Sequence, residues 1–182
     1  MSIVAPDEYT YRLSKPLGEI MQERALLLDE RRKDPDKWRP IPTHIPALND
    51  IILGFPVEQP FYMLLFSSEK IGKTTVGMDL ADAWRRGSAE PVMYAQLEEL
   101  SVQYADRTFA KTTSMTRSDI RMFSINDEQM QELYASALDF RKNDNLYIQD
   151  DLFSIYSLIQ EAKRIGAKKI VIDDLQLYGL EA

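Results

Sequence analysis

The chain has 182 residues, 45% of them hydrophobic, which suits one domain with a core and room for an extra arm. A formal net charge of −7 argues against a surface that coats nucleic acid nonspecifically, and leaves room for a small basic patch or a basic pore made by assembly. Cysteine is absent, which excludes a disulfide framework and a cysteine-based metal site; with no secretory signal and no apolar run of about 18 residues, export and membrane spanning are unsupported and a cytoplasmic setting is the default.

Residues 1–12 read as loosely ordered, and residues 14–34 as a helix. Pro16 suits its first turn, and Leu17, Ile20, Met21, Leu27 and Leu28 form a stripe of roughly helical period among charged residues. Such a helix either packs on its own domain or reaches a neighbour. The segment that follows, D-P-D-K-W-R-P-I-P-T-H-I-P, is a stiff, extended connector, so residues 1–40 are expected to form an arm and 41–182 the main domain.

The main domain alternates. Strands are expected at 61–67, 91–97, 145–149 and within 168–178; helices are expected at 73–86, near 101–111, at 127–142 with Asn126 and Gln129 as a capping pair, and at 154–166, ending at Gly166. Alternation of this kind specifies an α/β fold, with a mainly parallel sheet covered by helices.

The first expected strand and helix are joined by S-S-E-K-I-G-K-T-T, residues 67–75. Its end fits a phosphate-binding loop, G-x-x-x-x-G-K-[ST], placed between a buried strand and a helix. Gly72 lets backbone N–H groups close around phosphate oxygens, Lys73 reaches the β- and γ-phosphates, and Thr74 supplies a hydroxyl for Mg²⁺. Ser68, Glu69, Lys70, Ile71 and Thr75 complete the candidate cradle. Ser67 stands where the loop usually opens with glycine, a replacement that works if φ stays negative there. The bland alternative is an ordinary strand-to-helix turn capped by Thr74 or Thr75.

Nucleotide hydrolysis also needs carboxylates, one to hold Mg²⁺ and one to polarise water. I-V-I-D-D places Asp173 at the end of an apolar strand, while alternation points Asp174 elsewhere. Glu98 ends the strand before it in Q-L-E-E-L and is a candidate base, with Glu99 as the competing choice. A parallel sheet brings both strand ends to one edge. Gln176, three residues past Asp173, is placed either to hydrogen-bond a γ-phosphate or as an exposed amide.

Taken in order, I-P-T-H-I-P-A-L-N-D-I-I-L-G-F, S-S-E-K-I-G-K-T, Q-L-E-E, Y-I-Q-D-D and I-V-I-D-D-L-Q-L resemble the RecA-like motor domain of DnaB-type replicative helicases, over roughly residues 41–178. That family often lacks the first loop glycine. The resemblance implies a RecA-like P-loop fold with ATP and Mg²⁺ as cofactors. It implies that Lys73 and Thr74 bind phosphates and Mg²⁺, that Glu98 activates water, that Asp173 is the Mg²⁺-associated aspartate and that Gln176 senses the γ-phosphate. Arg107, nine residues after Glu98, matches an arginine that commonly follows the catalytic glutamate, and is otherwise a surface residue on a helix. The helix at 14–34 resembles the linker helix that such helicases lodge on the adjacent subunit.

The implied function is ATP hydrolysis coupled to 5′-to-3′ movement on single-stranded DNA in a hexamer of the whole protein, with primase or a helicase loader as further partners. His44 and Asn49 depart from a common glycine and aspartate. The chain reaches Ala182 just past the aspartate strand, so it reads as the front portion of a motor, expected to bind nucleotide weakly, to hydrolyse it slowly and not to unwind DNA alone. Two other readings compete. One is another RecA-like ATPase, a recombinase or KaiC-like protein. The other is a non-hydrolysing assembly or regulatory module that docks on a helicase ring.

Overall fold

The computed structural model describes residues 14–57, 63–68 and 70–177, with only the backbone of residue 176. The chain divides into two compact units after Arg39. The first holds helix α1, Leu17–Arg31, and a 3-10 turn, Pro35–Trp38. Pro16 precedes the first turn, and its carbonyl accepts from the N–H groups of Glu19 and Ile20. No residue of α1 is buried, and Leu17, Ile20, Met21 and Leu28 of its stripe are exposed. The Arg31 guanidinium lies 4.6 Å from the Trp38 ring centroid, which covers the helix end.

The second unit opens with Ile41 paired to Phe55 in a single antiparallel bridge around helix α2, Pro46–Ile52. Pro46 suits the first helical position, and Leu53 ends α2 with a left-handed φ of 59°. Gly54 follows at φ +91°, and a Cβ there would stand 2.8 Å from the Ile41 carbonyl oxygen. Only glycine allows that approach. Asn49 accepts from the Thr43 N–H and hydroxyl, both at 2.7 Å, and donates to the Thr43 carbonyl at 2.9 Å. It locks the turn that carries His44, whose Nε2 lies 3.7 Å from Asp82 Oδ2.

Among the described residues the sheet has three parallel strands: β1, Val92–Gln96, β2, Leu146–Gln149, and β3, Lys169–Asp173, in the order β2-β1-β3. Every residue of the central β1 is buried, as its V-M-Y-A-Q run demands. Helices α3, Lys73–Gly87, and α4, Ser101–Thr112, cover one face; α7, Ile155–Ile165, covers the other. Met78, Ala81 and Tyr104 meet Val92 and Tyr94, while Leu158 and Ala162 meet Met93 and Ala95. Strand alternation thus divides β1 between two cores. Between β1 and β2 run α4, a short α5, Arg117–Arg121, and α6, Asp127–Arg141. Asn126 and Gln129 form the expected reciprocal cap of α6, with bonds of 3.0 and 2.9 Å.

The strand expected at 61–67 is not found in its described part. Residues 63–67 have no regular structure, and Leu64, Leu65 and Phe66 are exposed. Continuous apolarity signals burial but not pairing, and F-Y-M-L-L-F contains no β-branched residue, whereas β3 is built on I-V-I. Residues 61 and 62 lie outside the described residues. Among the described residues no helix is long and apolar enough to cross a membrane.

Candidate functional site

Helix α3 begins directly after Gly72, which takes φ +102° with open space where a side chain would stand. No side chain caps this end, so the first-turn N–H groups of Lys73, Thr74 and Thr75 point out of the helix without an intrahelical partner. The loop turns a second time at Lys70, φ 61°. Ser67 takes no such angle, so a residue with a Cβ sits there without strain. Lys73 Nζ donates to the Ser67 carbonyl at 3.1 Å, folding the lysine back over the loop it would share with phosphate oxygens. Ser68, Lys70 and Ile71 are exposed beside it, and Glu69 lies outside the described residues.

The sheet brings the end of β3 to the helix that follows this loop. β1 and β3 pair in parallel with Gln96 opposite Asp173, so both strands end at the same edge. The Tyr94 hydroxyl donates to Asp173 Oδ2 at 2.9 Å, and the same oxygen lies 3.5 Å from the Thr74 carbonyl oxygen. One phenol therefore touches the end of β3 and the first turn of α3. Burial, with the nearby Asp173 charge, pushes the Tyr94 pKa well above its usual value, so the phenol stays a neutral donor. Gly77 leaves the room: a Cβ there would stand 3.2 Å from the Tyr94 hydroxyl.

Glu98 is exposed just beyond β1 and makes no hydrogen bond or ion pair with a described residue. Glu99 is engaged. It accepts from both Arg107 Nε, at 2.7 Å, and Arg107 Nη2, and lies 3.9 Å from Arg117 Nη2. The Arg107 hydrogen bonds, with both guanidinium charges, hold the Glu99 carboxyl below the usual range against the effect of burial. Arg107 is thus clamped on α4 by Glu99. Gln176 falls in a 3-10 turn, Leu175–Leu177, immediately after β3, and its side chain lies outside the described residues.

A cation held beside a nucleotide takes hard oxygen ligands from a loop hydroxyl, water and phosphate, with a nearby carboxylate. Thr74 and Asp173 are oxygen donors of that kind, and their common contact with Tyr94 shows that the two elements meet. The residues fit the group. Among the described residues no cluster of three or more His, Cys, Asp or Glu side chains forms an all-protein metal cage. A cavity of about 250 Å³ lies elsewhere, between α4, α6 and β2, and none of Lys73, Thr74, Glu98 or Asp173 lines it.

Two residues of this edge were not singled out from the sequence: Tyr94 and Gln96. Their signal was parity. Both lie an even number of residues from Val92, so both face α3 once β1 is placed centrally.

The model of the DnaB-like helicase C-terminal domain family matches residues 40–181. Among solved structures, the chain is similar to that of a DnaB-like replicative helicase determined with its interactions with primase, at 19% identity and a TM-score of 0.66. The match covers 88% of this chain and 40% of that one, so the likeness concerns the fold and the chain spans less than half that protein's length. None of the curated proteins matches. The fold is RecA-like α/β, and the chain belongs to the DnaB-like helicase C-terminal domain family.

Proposed function

We propose that the chain is the ATP-binding portion of a hexameric replicative DNA helicase, in which ATP hydrolysis drives movement along single-stranded DNA. The observation that carries this reading is the meeting of Thr74, Tyr94 and Asp173, which joins the phosphate loop to the acidic strand end. On this reading the N–H groups opening α3, with Lys73, receive the β- and γ-phosphates, and Thr74 and Asp173 hold Mg²⁺ directly or through water. Bound Mg²⁺ supplies charge neutralisation at the phosphates. Glu98, free of partners among the described residues, is better placed than the clamped Glu99 to polarise water. Arg107 reaches nucleotide only by exchanging Glu99 for phosphate. Gln176 senses the γ-phosphate.

Residues 1–40 serve as an arm in this reading. The exposed stripe of α1 supports docking on an adjacent subunit of the ring. Primase or a helicase loader would be partners of the assembled protein, working in the cytoplasm. The same stripe is the one observation that favours the assembly-module reading.

The test is binding of a fluorescent ATP analogue with Mg²⁺ to the chain and to Lys73→Ala. Binding that falls at least about tenfold on losing the lysine supports the reading, since a charge-assisted phosphate bond is worth that much. Equal binding, or none by either protein, refutes it. Concentration-dependent association lost on deleting residues 1–40, with no nucleotide binding, would put the assembly module in its place.

A further inference from the structure

Gln96 ends β1, two residues after Tyr94. The residue is 2% exposed, and its Nε2 has no hydrogen-bond partner among the described residues. A buried N–H without an acceptor is destabilising, and folded proteins keep few of them without a reason. The strand fixes which way this one faces. Val92 and Tyr94 pack with Met78 and Ala81 of α3, whereas Met93 and Ala95 pack with Leu158 and Ala162 of α7. Gln96 has the parity of Tyr94, so it stands on the α3 face.

Across the ladder Gln96 is paired with Asp173, whose neighbour of like parity, Val171, packs against that same core. Gln96 and Asp173 are therefore neighbours across the ladder, at the end of the sheet face that α3 covers. Tyr94 already donates to Asp173 Oδ2, whereas the Gln96 amide has no acceptor among the described residues.

We propose that Gln96 is a binding residue for the terminal phosphate of a nucleoside triphosphate, with Nε2 donating to a γ-phosphate oxygen. This deepens, and rests on, the nucleotide-binding reading of the site. A carboxamide suits the task. It offers an N–H to an anionic oxygen, and it adds no charge where Lys73 already supplies one. A diphosphate, lacking that oxygen, leaves the amide as it is in the free chain. Gln96 would then set the preference for triphosphate over diphosphate.

The experiment compares fluorescent analogues of ATP, non-hydrolysable, and of ADP, each with Mg²⁺, on the wild type, Gln96→Leu and Gln96→Ala. Leucine fills similar space and removes the orphan N–H. Gln96→Leu is expected to bind the triphosphate about tenfold more weakly, the effect of one hydrogen bond to a charged group, with diphosphate affinity unchanged. Its thermal midpoint should equal or exceed that of the wild type, an outcome a purely structural glutamine would not give. Gln96→Ala, which places no branched side chain near the phosphates, should show the same selective loss and decides the matter if leucine is not tolerated. Triphosphate affinity that stays unchanged, or falls together with diphosphate affinity, overturns the inference. The parent reading fails separately: wild-type binding that is absent or indifferent to Lys73→Ala removes both. Lysine-dependent binding without the selective loss removes this inference alone.

Discussion

The Tyr94 hydroxyl and Asp173 Oδ2 are joined by a 2.9 Å hydrogen bond between adjacent parallel strands. The bond uses one oxygen of the carboxylate that ends β3 and restrains its rotation. Because the phenol also lies against the Thr74 carbonyl, it fixes α3 relative to β3. A hydrogen bond to a charged group contributes about 1.5–3 kcal/mol. Tyr94→Phe keeps the ring between Tyr104 and α3 and removes only the hydroxyl. The expected result is a several-fold higher Mg²⁺ concentration for half-maximal binding of a fluorescent nucleotide, with metal-free binding unchanged. Equal loss with and without Mg²⁺ would show that the ring, not the bond to Asp173, sets the site.

The same bond can be disturbed from the other side. A Cβ on Gly77 would stand 3.2 Å from the Tyr94 hydroxyl and 3.6 Å from the ring. The first distance is tight enough that the phenol must shift by a few tenths of an ångström. Alanine favours helix over glycine by about 1 kcal/mol. Gly77→Ala is therefore expected to hold or raise the thermal midpoint while raising the Mg²⁺ requirement, by less than Tyr94→Phe does. Calorimetry with a Mg²⁺ titration checks both, and an unchanged requirement would mean that the hydroxyl moves without consequence.

Arg107 and Glu99 give a prediction of opposite sign. The pair is bidentate, through Arg107 Nε and Nη2, and the Glu99 hydrogen bonds raise the Arg107 pKa further. Glu99→Gln removes a negative charge near the site and loosens the clamp. Triphosphate affinity should rise a few-fold, most at low salt, where partly exposed charges act most strongly. Arg107→Ala in the Glu99→Gln background should cancel the gain. If Glu99→Gln gains equally with and without Arg107, the effect is general charge rather than release of the arginine.

What the sequence made legible follows from the physics of each signal. Periodicity and caps placed α3, α4, α6 and α7, because helix ends carry chemical marks such as Asn126 with Gln129 and the αL glycine, Gly166. Strands β1 to β3 were legible as apolar runs between those helices. The run at 61–67 carried the same apolar signal, yet its described residues are unpaired, since pairing depends on a neighbour that composition does not name. The short helices α2 and α5 lacked the length for a periodic pattern. That the start of α3, with Lys73 and Thr74, lies near the strand end carrying Asp173 was legible because strand-helix alternation puts parallel strand ends at one edge. Tyr94 and Gln96 were not. Their roles arise from the parallel register of β1 with β3, a long-range property absent from local sequence. The Glu99–Arg107 pair is hidden for the same reason, since it forms across the turn between β1 and α4 and not within one element.

Asp82 tests the scaffold rather than the site. It lies buried on α3, accepting from Arg85 Nε and Nη2 at 3.1 and 3.0 Å, with Arg86 Nη2 at 2.9 Å from its other oxygen. Burial pushes its pKa up, but the hydrogen bonds and charges of Arg86 and Arg85 outweigh this and hold it below the usual carboxylate value. A folded-state pKa lowered in this way gives stability that is present above the unfolded pKa, about 3.9, and is lost as pH falls through the folded value. At neutral pH, Asp82→Asn is expected to lower unfolding free energy by on the order of 2 kcal/mol, the difference between charged and neutral acceptors for two guanidinium groups. Denaturant melts at successive pH values should show this gap start to narrow as pH falls below about 4, where the unfolded chain takes up the proton, and close once pH falls below the lowered folded value. Because Arg85 also reaches the Asn143 carbonyl, the cluster ties the far end of α3 to the segment before β2, away from Lys73. Nucleotide affinity of the folded variant should therefore match the wild type. A gap that does not narrow at all as pH falls below the unfolded value would place the contribution of Asp82 in its shape, not its charge.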